Sequence, residues 1–216
     1  GVDAGFAILA QGSDETQTGG NEEISNTGTV TGSFDLGLGV NSFTNELGSL
    51  LNTGQFAYVG AANSLTTKGR IAPGGDLRVM TTNVLGVFEQ TEDGTYGVDM
   101  DLALTTLAPV LPLEPAEADV LLSDDAIIFD GFVDLDLLNR GNALPGAHIA
   151  LLARTSGALT VDDALTLVAP ASAVASYELA KTATELSLNY GIDFSAAGMN
   201  PNQSAIGEYI NNFQTA

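Results

Sequence analysis

An all-β fold, coiled so that one turn of chain makes one structural repeat, is what this sequence predicts, on three observations. A phrase returns after 22 residues: Asn41-Ser42-Phe43-Thr44 comes back as Asn63-Ser64-Leu65-Thr66, each followed within a few residues by glycine (Gly48, Gly69). A related punctuation, Asn26-Thr27-Gly28-Thr29-Val30 and Asn52-Thr53-Gly54-Gln55-Phe56, runs through the same region. Degenerate periods of about 20–25 residues built from short β-prone runs mark repeat architectures. The third observation is composition. The chain has 25 glycines, no tryptophan and only 6% aromatics, which suits an aliphatic core with many tight turns. A solenoid turn is a structural unit first, so function is sought on its surface or in its loops.

Residues 1–23 open with a small apolar run (Phe6, Ile8, Leu9) and a polar tract, Gln11–Glu23, that reads as a loop or frayed end. From Ile24 to Arg78 the pattern is strand, turn, strand, with glycine or asparagine at the corners. Thr29–Phe34, Leu50–Val59 and Leu77–Met80 are the strands expected there. Ala72-Pro73-Gly74-Gly75 is a turn, proline presetting φ and glycine supplying the positive φ after it. In Tyr96–Leu102, Tyr96, Val98, Met100 and Leu102 share one face, while Asp99 and Asp101 share the other. Phe132–Leu137 repeats that alternation with Asp134 and Asp136. Three prolines at spacing three, Pro109, Pro112 and Pro115, forbid a ladder and favour an extended loop. Three further strands are expected at Ile149–Arg154, Asp163–Val168 and Leu179–Asn189. Asn200 then serves as N-cap, Pro201 as first helical residue and Gln203 as the return arm of a capping box. Ile206, Tyr209, Ile210 and Phe213 fall on one face of a helix from Pro201 to Phe213, and that stripe calls for a partner surface.

Charge excludes whole classes of partner. With 27 acidic and 6 basic residues the net charge is −21, so nucleic acid and anionic membrane are both repelled. No cysteine is present, so there is neither a disulfide framework nor a thiolate metal site. No run reaches the ~18 apolar residues of a helical membrane span. Gly1 begins no signal-peptide pattern, so the expectation is a processed or a cytoplasmic chain.

The order of several pieces resembles the C-terminal part of the passenger region of Gram-negative autotransporters, the type V secretion family. The Asn-Thr-Gly phrase leads to Lys68-Gly69-Arg70-Ile71-Ala72-Pro73-Gly74-Gly75, similar to the family's G-x-I-x-P-G-G. Gly86–Gln90 and the β-rich Thr95–Leu102 come next. Glu117-Ala118-Asp119-Val120-Leu121 resembles S-D-x-L, followed by Ala126–Leu138 and Leu144-Pro145-Gly146. Last, Leu179–Phe194 runs into Asn200-Pro201-Asn202-Gln203-Ser204-Ala205, similar to T-P-N-Q-x-A-V-A. The likeness covers roughly residues 24–213. The proline-rich segment 109–115 departs from the short polar connection usual there. The resemblance implies a right-handed parallel β-helix with a short C-terminal capping helix, secreted or displayed at the Gram-negative cell surface. It also implies C-terminal turns that help the rest fold outside the cell, in a passenger piece without its translocator barrel. The chain divides accordingly into an N-terminal extension or partial rung (1–23), a β-helix body (24–199) and a helical cap (200–216).

Candidate chemistry is sparse. Asp99 with Asp101, and Asp134 with Asp136, place two carboxylates about 7 Å apart on one strand face. Stacked in neighbouring turns, they are the candidate ligands for Ca²⁺, which takes six to eight oxygens. The alternative is the solvated outer face of an acidic protein. Asp124/Asp125 and Asp162/Asp163 read as turn residues. His148, the only histidine, excludes a multi-histidine zinc site within one chain and reads as an incidental strand residue. Lys68, Arg70 and Arg78 read as partners for nearby acids; the alternative, a polysaccharide lyase, would set them in a carboxylate–arginine groove. No Gly-x-Ser-x-Gly elbow or phosphate loop is present. The expectation is therefore a non-enzymatic structural protein with no cofactor: an autotransporter-like stalk and folding core serving adhesion or surface display, with a translocator and an unspecified host or matrix ligand as partners. A self-assembling extracellular filament or matrix subunit is the second reading, and a polysaccharide-active enzyme the third.

Overall fold

A computed structural model of the chain describes residues 6–10, 20–103, 117–195 and 197–214. They are mostly β-strand with one α-helix at the C-terminal end. Within the described residues eighteen strands, numbered in chain order, run in three columns, and the chain visits the columns in turn.

The first column is a six-stranded parallel sheet. Its strands are β2 (Glu23–Asn26), β4 (Ser42–Asn45), β6 (Ser64–Thr67), β9 (Val87–Gln90), β12 (Ile127–Phe129) and β15 (Leu159–Val161). The repeated phrase lies here in register: Ser42 faces Ser64, Phe43 faces Leu65 and Thr44 faces Thr66. The sequence period is thus one step of the stack. Side chains alternate across a strand, so Ile24, Phe43, Leu65, Phe88, Ile127 and Leu159 line up pointing inward.

The other two columns share a twelve-stranded sheet. Column two stacks β3 (Thr29–Asp35), the first half of β5 (Leu50–Tyr58), β7 (Arg70–Pro73), β10 (Thr95–Asp101), β13 (Phe132–Leu138) and β16 (Thr166–Val168). Val30, Leu51, Ile71, Tyr96, Val133 and Leu167 form its inward row. Column three stacks β1 (Phe6–Leu9), the ends of β3 and β5, β8 (Thr81–Leu85), β11 (Val120–Ser123) and β14 (Gly146–Thr155). All of these pairings are parallel. β3 and β5 are long enough to serve two columns because they bend: the β3–β5 register shifts between Gly32 and Phe34, as at a bulge.

The three inward rows meet in one core. Phe34, Phe43, Leu51, Leu65, Ile71, Phe88, Tyr96, Leu121, Ile127 and Phe129 are fully buried in it. Each such side chain contributes about 1.5–3 kcal/mol relative to exposure. One row of the interior is polar. Asn26, Asn45, Thr67 and Gln90 stack in register and are buried. Asn26 Nδ2 donates to Asn45 Oδ1 at 2.8 Å, and Asn45 Nδ2 donates to Thr67 Oγ1 at 3.0 Å. The same amides also reach the main chain of the next corner, at Leu50 O and Arg70 O. They satisfy carbonyls that a sharp bend would otherwise bury unpaired.

Several expectations need correction. Leu77–Met80 is not a strand: Gly74, Gly75 and Leu77 all have positive φ, and 76–80 is a covering loop. Asn52-Thr53-Gly54 lies inside β5, whereas Asn26-Thr27-Gly28 is a corner, so that likeness does not stack. Gly54 is required by packing, since a Cβ there would stand 2.5 Å from Ser33 N. Leu179–Asn189 is not one strand but a hairpin of β17 (Ala175–Lys181) and β18 (Glu185–Ile192), and β18 joins β14 antiparallel. Asp163–Val168 shortens to β16, because Asp162 Oδ1 accepts the Ala164 N–H and makes a turn. Part of the N-terminal segment is ordered into the stack, through β1 beside β3. Pro109, Pro112 and Pro115 lie outside the described residues.

The helix α1 (Pro201–Gln214) begins as the capping pattern predicts. Asn200 Oδ1 accepts the N–H groups of Asn202 and Gln203, each at 3.0 Å, and Gln203 Oε1 accepts the Asn200 N–H at 3.0 Å.

Candidate functional site

Four of the charged residues singled out in the sequence, Arg70, Asp99, Asp134 and Asp136, meet along column two. Arg70 leaves β7 and crosses Gly97 of β10, where an added Cβ would stand 2.5 Å from Arg70 Nη2. The missing side chain is what lets the guanidinium reach β13. There it meets Asp134 at 2.5 Å and Asp136 at 3.9 Å. Asp99 sits directly beside Asp136 in the ladder.

Asp99 is not on a solvated face. It is 5% exposed, roofed by the 76–80 loop, and its Oδ2 accepts the Arg78 N–H at 2.7 Å. Burial raises its pKa, opposed by that hydrogen bond, with Asp136 and Asp76 adding to the rise. Asp119 is more deeply placed at 1% exposure. Its Oδ1 accepts Met80 N–H at 2.6 Å and its Oδ2 accepts Asp99 N–H at 2.9 Å. Burial pushes Asp119 up to about 8, against the pull of those two bonds and of Arg70. Desolvation of a charge is the larger effect at such a depth. The Tyr96 hydroxyl beneath lies within reach of the carbonyls of Asp119 and Leu152, at 3.1 and 2.9 Å. Together the two carboxylates pin the covering loop through its main chain.

Asp101 stands apart, accepting Ala103 N–H and Asn139 Nδ2 at 2.9 and 2.7 Å. The four aspartates considered for Ca²⁺ therefore divide three ways: Asp134 and Asp136 toward Arg70, Asp99 to the loop, Asp101 to a turn. Among the described residues no group of three or more His, Cys, Asp or Glu is placed to hold a metal ion. Lys68 pairs with Glu46 at 3.0 Å. His148 is buried, stacked on Tyr190 with ring centroids 4.9 Å apart, and its Nε2 lies 3.0 Å from Leu144 O. Asp119 was missed as a site residue by sequence reasoning; the signal was an aspartate inside the apolar run Ala118–Leu122.

The helix stripe is the second candidate. α1 is fastened by its other face: Asn211 accepts the Phe194 N–H at 3.1 Å and donates to Asp193 at 2.8 Å, and buried Gly207 lies against the Phe194 carbonyl. Ile206, Tyr209 and Phe213 are left 62%, 67% and 70% exposed, with the Tyr209 and Phe213 rings stacked at 5.9 Å. Ile210 is half-buried. The stripe does not pack on the β-columns. None of the described helices is long and apolar enough to cross a membrane.

No protein-family model matches the chain, and no curated protein is significantly similar to it.

Proposed function

We propose that the chain is a non-enzymatic structural protein: a right-handed parallel β-helix acting as stalk and C-terminal folding core of an exported, autotransporter-like passenger. The observation that carries this reading is the in-register stack, in which the same inward position is filled by an apolar side chain from Ile24 to Leu159. Such a ladder is a repeating scaffold whose turns support only their neighbours. The charged cluster favours the same reading, because its carboxylates hold a loop and an arginine. The eight-pair antiparallel ladder between β14 and β18, closed by β17, gives the C-terminal end a lock that the earlier turns lack.

The test is export. The chain is fused ahead of an outer-membrane barrel translocator in a Gram-negative cell, and protease resistance is read at the surface. The reading expects a surface-exposed, resistant chain, and a Leu186→Ala/Leu188→Ala variant that is exported but degraded. A chain that reaches the surface and stays equally resistant with those two core residues truncated would overturn the folding-core role.

A further inference from the structure

The outer face of column three carries a groove that neither the core nor the charged cluster uses. Side chains alternate across a strand, and here Ala57, Val84, Ser123 and Thr155 point inward and are buried. Their neighbours Phe56, Asn83, Leu122 and Arg154 therefore point outward, in one register row across β5, β8, β11 and β14. Beside this row Tyr58 faces Leu85. Tyr58, Leu85 and Leu122 line an open groove of about 450 Å³, together with Asn83, Asp124 and Arg154. Aromatic surface continues from its edge. The Tyr58 ring lies 5.2 Å from Phe56, and Phe56 stacks at 6.5 Å on Phe6, which is 43% exposed.

We infer that this groove binds an uncharged oligosaccharide lying along the axis of the stack. The C–H face of a pyranose is apolar and rests on the flat face of an aromatic ring, which Tyr58 and Phe56 supply. The polar groups around them are unspent. Among the described residues the Tyr58 hydroxyl has no hydrogen-bond partner, and Arg154 uses only its Nε, on Glu185 at 2.7 Å. Asp124 Oδ1 accepts one bond, from Ser156 Oγ at 3.2 Å. A few convergent polar groups beside an apolar surface orient a bound molecule, and sugar hydroxyls both donate and accept. A peptide finds no sheet edge here, because β8 and β11 are each paired on both sides. Charge selects a neutral ligand. Asp35 and Asp124 lie near enough to Tyr58 to add to the rise in its pKa that burial causes, and they repel an acidic glycan, as does a chain of −21. Arg154, in the same groove, opposes a cation. Four strands about 4.8 Å apart span about 14 Å, room for about three sugar rings. The inference concerns the folded chain alone and stands apart from export.

Native electrophoresis of the purified chain, through gels holding a soluble polysaccharide, is the first test. The neutral probes are a β-1,4-glucan, a β-1,3-glucan, an α-1,4-glucan and a galactomannan, with polygalacturonate as the acidic control. Retardation is expected in at least one neutral gel and not in polygalacturonate. The hexasaccharide of the retarding polymer is then titrated calorimetrically. Its affinity is expected to be equal at low salt and at 0.5 M NaCl, because salt screens charge and the ligand has none. Tyr58→Ala and Arg154→Gln, both at outward positions, are each expected to weaken it at least tenfold with an unchanged urea midpoint. Tyr209→Ser/Phe213→Ser removes exposed rings far along the chain and is expected to leave it unmoved. Migration unaffected by all four neutral polymers, preference for polygalacturonate, affinity that falls with salt, an equal loss in the α1 variant, or affinity retained in both groove variants would each overturn the inference.

Discussion

Asp119 holds two main-chain N–H groups while almost wholly removed from water, and this makes the fold sensitive to alkali. Its pKa stands near 8 in the folded chain and near 4 when unfolded. The folded state therefore holds the proton more tightly, and this contribution is complete below about pH 4 and lost as pH rises through about 8. Between pH 6 and 9 the urea midpoint of the parent is therefore expected to fall. Asp119→Asn is expected to flatten that slope; a parent whose stability is constant or rises over the interval would refute the assignment. The calcium question is decided at the same scale. Because Asp134 and Asp136 face Arg70 and Asp99 binds a loop N–H, millimolar Ca²⁺ is expected to leave the thermal midpoint unmoved. A clear rise would restore the aspartates as ligands. Strand alternation made Asp99 and Asp136 legible as neighbours on one face. It did not reveal that a loop twenty residues upstream would roof one of them, because a covering loop leaves no periodic trace.

At the scale of elements, turns and helix are each held by a few side chains. Asn45 is fully buried and serves Asn26, Thr67, Ser49 and the Arg70 carbonyl at once. Asn45→Ala strands these partners inside the core, and a loss of about 2–4 kcal/mol in urea unfolding is expected. A cost below 1 kcal/mol would mean that water replaces the amide. Gly207→Ala ordinarily favours a helix by up to ~1 kcal/mol. Here its Cβ would stand 2.0 Å from the Phe194 carbonyl oxygen. Faster proteolytic cleavage between residues 195 and 200, with the β-stack's unfolding unchanged, is the expected outcome; unchanged cleavage would show that α1 is not fastened there. The helix and its cap could be read from Asn200, Pro201 and Gln203 because capping is local chemistry. Which face it buries could not. The apolar stripe suggested a docked cap, yet glycine and asparagine make the contact.

For the whole molecule, the sequence period was readable only where successive turns have equal length. Phe43, Leu65 and Phe88 stand 22 and 23 residues apart, but Ile127 follows Phe88 only after 39. Beyond it the stack continues in register while the repeat vanishes from the sequence. The antiparallel close was hidden for a different reason: Thr182–Thr184 turns the chain without glycine or proline, so β17 and β18 read as one run. On the proposed reading these closing turns are the stable nucleus from which the scaffold is built. Native-state hydrogen exchange tests it most directly, because stability in a stacked protein is distributed turn by turn. The slowest amides are expected in β12, β14 and β18, with β2 and β4 opening earlier at lower free energy. Protection as long in β2 and β4 as in β18, or a single opening of all strands together, would contradict it.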